Sequence, residues 1–166
     1  MYRTIADFVE DWSIESAATL KVLNNLTDAS LDQRIAPESR SLGRLAWHVT
    51  GSITGMLGQA GLTVGGPTDH DPQPPAAAVI AAAYERAARV AAEQIESRWT
   101  DAMLDETVEM FGRPWKRGAV LSTIIRHQAH HRGQMTVLMR QAGLVVPGVY
   151  GPSREEWVAQ GMPALP

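Results

Sequence analysis

The chain has 166 residues, of which 45 % are hydrophobic and 20 % charged, a balance that excludes disorder and suits one folded domain over 1–166. A net charge of -3 leaves no basic footprint for nucleic acid. With no cysteine there is no disulfide, no thiolate ligand and no cysteine nucleophile, so a bound metal must take nitrogen or oxygen donors and any reacting sulfur must arrive on a small molecule.

In chain order, the first predicted helix runs from about Thr4 to Leu26, where Ile5, Phe8, Val9, Trp12, Leu20, Val22, Leu23 and Leu26 recur mostly at spacings of three and four. A polar connection, Asp28 to Pro37, follows. The second helix starts at Ser41, a suitable N-cap, and ends between Gly58 and Gly66. Its wide apolar stripe offers a dimer surface. The stretch Gly65-Gly66-Pro67-Thr68-Asp69-His70-Asp71-Pro72-Gln73-Pro74-Pro75 is a loop by its turn formers.

The third helix, Ala76 to Arg98, is rich in alanine, which permits close helix approach. Asp101 to Arg117 is irregular, with Val108 to Phe111 extended and Gly112-Arg113-Pro114 as a break. The fourth helix covers Gly118 to Ala142, with Gly143 placed as a C-cap glycine. An extended tail then leads to Ser153-Arg154-Glu155-Glu156-Trp157, which reads as a capping box opening a last helical turn. Four long helices of similar length favour a bundle, so the expected class is all-α with a short extended C-terminal tail. No apolar signal core and no run of about 18 apolar residues are found, so a cytoplasmic protein without a membrane partner is expected.

Chemistry concentrates in the histidines. His70 stands in the Pro-rich loop and reads as exposed and without a role. His127 and His131, in Arg126-His127-Gln128-Ala129-His130-His131-Arg132-Gly133-Gln134, are four apart on a helix. That spacing puts both imidazoles on one face, about 6 Å apart at Cβ. The same arc holds Val120, Thr123, Ile124, Gln134 and Leu138, the face turned into a bundle, whereas Arg132 points elsewhere, toward a carboxylate or a partner subunit. Two neutral imidazoles side by side in a core need partners, which either a metal ion or ordinary hydrogen bonds supply. A stable metal site needs a third ligand. His48, on the second helix, is the remaining helical histidine, but periodicity does not say whether it faces His127. The five tryptophans read as core or interface anchors, with Trp47 set apart because it precedes His48.

Leu42-Gly43-Arg44-Leu45-Ala46-Trp47-His48, His127-Gln128-Ala129-His130-His131-Arg132-Gly133-Gln134-Met135 and Gly148-Val149-Tyr150-Gly151-Pro152-Ser153 together resemble the DinB/YfiT-like metalloenzyme family, which is unrelated to the DNA polymerase of the same name. The resemblance covers the whole chain in order. It implies an up-down-down-up four-helix bundle, commonly a homodimer. It also implies one divalent metal ion on one histidine of the second helix and two of the fourth, here His48, His127 and His131. His130 matches a frequent neighbouring histidine beside the ligands. Gln134, on the histidine face, is a candidate to orient a ligand through its amide.

Three nitrogen ligands leave a position open, as in catalytic sites, and suit zinc, nickel, copper or iron, with zinc or nickel favoured. Family members of known activity use low-molecular-weight thiols, so the leading expectation is an S-transferase. A small thiol co-substrate, activated at the metal, would attack a small electrophile. Two other readings stand: a hydrolase with metal-activated water, and a non-enzymatic metal-binding stress-response protein. The hydrolase needs a general base, for which Glu10, Asp11 and Glu109 are candidates without a placement. Catalytic residues beyond the ligands, and any cofactor-binding set, are not legible.

Overall fold

The structure, a computed structural model, describes residues 2–163. Four long helices dominate it: α1 (Ile5–Leu23), α2 (Leu42–Gln59), α3 (Ala77–Arg98) and α4 (Arg117–Gln141). A hairpin of β1 (Thr107–Met110) and β2 (Arg113–Lys116) precedes α4, and a short helix α5 (Arg154–Ala159) follows it. Several boundaries have a local cause. The Thr4 and Ser41 hydroxyls accept the first free N–H groups of α1 and α2, from Asp7 at 3.0 Å and Arg44 at 3.1 Å. Gly143, at φ 71°, ends α4 with its own N–H on the Arg140 carbonyl at 3.1 Å and the Leu144 N–H on Met139 at 2.9 Å. Only a left-handed residue closes both bonds, which is the Schellman arrangement. Ser153 and Glu156 cap α5 reciprocally, as the capping-box pattern predicts.

The bundle runs up-down-down-up. Ile5 N–H reaches Asp101 at 2.8 Å and Trp12 Nε1–H the Ala88 carbonyl at 2.9 Å, so α1 and α3 are antiparallel neighbours. Arg132 on α4 meets Glu15 and Thr19 on α1. Gln128 on α4 donates to the Val49 carbonyl of α2 at 3.2 Å. Thus α1 packs against α3 and α4, and α2 against the same two. A continuous core of Phe8, Val22, Leu42, Ile53, Ile80, Tyr84, Ile95, Leu121 and Ile124 fills the space between them.

Two sequence expectations change. Gly112-Arg113-Pro114 does not break the extended segment but turns it back on itself. Phe111 and Gly112, at φ 51° and 72°, form a two-residue turn, and Pro114 pairs with Glu109 in a ribbon whose outer edges need no N–H donor. The apolar stripe of α2 is not a free surface either. Leu42, Leu45, Ala46, Val49, Ile53, Met56 and Leu57 are all buried within the chain, because α2 lies against both α3 and α4.

Candidate metal centre

α2 and α4 bring His48, His127 and His131 to one point. The Nε2 atoms of His48 and His127 are 3.2 Å apart, and so are those of His127 and His131. One ligand atom from each ring lies within 4.8 Å of the others, so the three form a group able to hold a metal ion. The helix pair is pinned at this level by the residues next in sequence. Gln128, fully buried, donates Nε2–H to Val49 and accepts the Tyr84 hydroxyl at 3.1 Å, tying α4 to α2 and α3 together.

The tautomers follow from the outer partners. Asp69 Oδ1 lies 2.6 Å from His48 Nδ1, and an ionised carboxylate only accepts, so His48 carries its hydrogen on Nδ1. Gln134 Oε1 accepts from His131 Nδ1 at 2.7 Å. Both rings in their neutral form therefore turn bare Nε2 lone pairs toward His127. His127 can offer one Nε2 hydrogen at most, so at least one pair of lone pairs faces unshielded. A cation at the centre resolves that repulsion, and two of the three rings already have the outer hydrogen bond typical of metal-bound histidine. His127 lacks one: its Nδ1 is buried without a partner among the described residues. Burial, reinforced by His131 and His48, pushes the His127 pKa down from 6.5 to about 4, and burial likewise lowers that of His131. Neutral imidazole is the form that ligates.

Asp69 is the residue the sequence hid. It lies in the loop joining α2 to α3, 21 positions beyond His48, and α2 itself draws the loop in. Arg44 donates to the Asp69 and Asp71 carbonyls, and Trp47 Nε1–H to the Asp71 carbonyl at 3.2 Å. Trp47 is thus a loop anchor rather than a reacting group. Thr68 and Asp71 close the turn through a 2.6 Å bond from the Thr68 N–H to the Asp71 carboxylate, which holds that carboxyl below its usual range. Gly51 makes room: a Cβ there would stand 3.1 Å from the Thr68 carbonyl carbon and 3.2 Å from the Asp69 nitrogen. The candidate bases lie elsewhere: Glu10 is exposed on α1, Asp11 accepts the Tyr2 hydroxyl, and Glu109 lies in β1 opposite Pro114.

The remaining motif residues sort themselves. His130 is exposed, with its ring 4.7 Å edge-on from that of His131. His70 is exposed at the rim. Arg132, 2 % exposed, points away from the triad as its helical position predicts, and meets Glu15 Oε2 at 2.6 Å and Thr19 Oγ1 at 2.9 Å. The Tyr150 hydroxyl joins this cluster by donating to Glu15 at 2.8 Å, so the tail motif straps α1 to α4 and does not enter the histidine site.

Two concavities meet the triad. One, of about 570 Å³, reaches His131 and His130 and is walled by Ile35, Leu45 and Val137 with Arg40 and Gln134. The other, of about 390 Å³, reaches His48 and His127 over a floor of Gly51, Ser52 and Gly55, with Met56 and Phe111 as walls.

Comparison with known proteins agrees with the motifs. The chain is 43 % identical over 164 residues to the uncharacterized protein YrdA of Bacillus subtilis strain 168, covering 99 % of this chain and 98 % of that one. A DinB-like protein from Bacillus cereus superimposes with a TM-score of 0.87 at 48 % identity, over 90 % of this chain and 100 % of that one. A second DinB-like protein, YjoA of Bacillus subtilis, shares the fold, with a TM-score of 0.67 at 19 % identity over 88 % and 98 % of the two chains. The model of the DinB family matches residues 1–162, and the chain belongs to the DinB family.

Proposed function

We propose that this chain is a metal-dependent thiol S-transferase acting on small electrophiles, with one divalent ion, zinc or nickel, on His48, His127 and His131. The observation that carries the reading is the convergence of three Nε2 atoms at the meeting of two open clefts. Asp69 and Gln134 take the outer hydrogens of two of the rings. Three nitrogen donors fit zinc or nickel and leave coordination positions for a reactant. When bound, the ion supplies Lewis acidity that lets a thiol lose its proton near neutral pH.

The chain's own residues do the rest. Asp69 and Gln134 fix ring orientation, and the clefts give two reactants separate approaches. In the overall reaction the thiol gives its proton to solvent, a carbon–sulfur bond forms, and the leaving group departs with its bonding electrons. With no cysteine in the chain, no internal sulfur competes. Family members of known activity supply the expectation of a thiol.

The test uses zinc- or nickel-loaded protein, a panel of low-molecular-weight thiols and a chromogenic aryl halide. Turnover that needs both metal and thiol, and that falls at least a hundredfold in His48→Ala and His131→Ala, is the expected outcome. Turnover indifferent to chelation, or metal-dependent hydrolysis with no thiol requirement, overturns it.

A further inference from the structure

We propose that the cleft over His48 and His127 seats a planar, uncharged, apolar group of the substrate, with the Phe111 ring as its stacking wall. The chemistry assumed for that substrate rests on the transfer reading; the binding assignment does not.

Phe111 occupies a costly position. It is the one non-glycine residue with positive φ among the described residues, at 51°, in the first central place of a two-residue hairpin turn. Both residues of such a turn are left-handed, and asparagine or glycine relaxes there, whereas a bulky aromatic is strained. The residue is also 64 % exposed, so core packing does not repay the strain. What the position achieves is placement. The Phe111 N–H bonds Gln59 Oε1 at 2.9 Å, which docks the hairpin tip on the C-terminal end of α2. The ring makes an edge contact with Trp115, centroids 6.3 Å apart. The ring then borders the same cleft that His48 and His127 enter. A strained residue held at the mouth of a reactive centre points to a ligand contact.

The rest of the cleft states which ligand. Its floor is stripped: Ser52 and Gly55 stand in place of larger side chains, and a Cβ on Gly55 would meet nothing within 4 Å. Met56 adds a soft apolar wall. A volume of about 390 Å³ admits a substituted aromatic ring. Away from the histidines no lysine or arginine lines the cleft to pair with a charged group, and Asp69 does line it. Arg40 instead lines the other cleft, beside His131. A flat, neutral group stacked on Phe111, with its reacting atom toward the histidines, is what the walls accommodate.

The experiment uses the full, zinc-loaded chain and inert dinitrobenzene as the binding probe, followed by titration calorimetry. Expected are binding by the wild type and a loss of about tenfold in both Phe111→Asn and Phe111→Ala. Gly55→Leu, which fills the floor, loses binding likewise, while zinc stoichiometry stays at one in every variant. Phe111→Asn, relieved of strain, melts at or above the wild-type temperature, which separates lost contact from lost folding. In turnover, the same variants raise KM for chlorodinitrobenzene. Wild-type protein that fails to bind dinitrobenzene, or Phe111 variants that bind it as the wild type does, overturns the assignment. Phe111-dependent binding without thiol-dependent turnover overturns the transfer reading and leaves the cleft assignment standing.

Discussion

A single hydrogen bond decides how His48 presents itself. Asp69 accepts from Nδ1 at 2.6 Å, and that leaves Nε2 bare. Asp69→Asn keeps the shape but lets the ring adopt either tautomer, so zinc affinity should fall by about tenfold to a hundredfold in competition with a chromogenic chelator. Unchanged affinity would mean that the helix alone orients His48. The pH dependence of the metal-free protein follows from His127. Its pKa is about 4 in the native chain against 6.5 when unfolded, so between these values the unfolded chain holds more protons. Stability therefore declines as pH falls from about 6.5 to about 4 and levels off above. Urea midpoints measured across that range check the sign, and a midpoint that rises on acidification would contradict it.

Between elements, the most deeply buried ion pair among the described residues lies away from the histidines. Arg132 and Glu15, 2 % and 5 % exposed, join α4 to α1, with Thr19 and the Tyr150 hydroxyl completing the cluster. Arg132→Met strands the Glu15 carboxylate in the core and should cost about 3–5 kcal/mol. Glu15→Leu added to it removes the stranded charge and should restore most of that loss. Tyr150→Phe leaves the ion pair intact and should cost about 1 kcal/mol. Urea unfolding of the three variants reads these values, and a double variant no better than Arg132→Met would show that packing, not charge, dominates there. The Arg132-Gly133-Gln134 part of the motif is thus divided: Arg132 holds the helices together while Gln134 serves His131.

Across the whole molecule, the four-helix frame sets α2 beside α4 at one level and leaves two clefts on the triad. No helix among the described residues is long and apolar enough to cross a membrane. The homodimer implied by the family remains a proposal, and the apolar stripe of α2, buried within the chain, is not its surface. Light scattering at micromolar concentration should return twice the 18.1 kDa chain mass, and a monomeric mass would overturn the proposal.

The sequence by itself determined the helices and the motif. Apolar residues at spacings of three and four, Ser41, Gly143 and the Ser153–Glu156 box act within one or two turns, so they are legible without neighbours. The i, i+4 relation of His127 and His131 is local in the same way; His48 stood out as the remaining helical histidine, and the resemblance assigned it to the site. Tertiary structure decided that His48 faces them, because helix periodicity fixes a face but not what lies opposite it. It also brought in Asp69 through a loop drawn in by Arg44 and Trp47 and admitted by Gly51, and it set Phe111 over the cleft by a turn whose first residue defies the usual preference. These contacts join residues far apart in the chain, and no pattern confined to one segment encodes the distance between two.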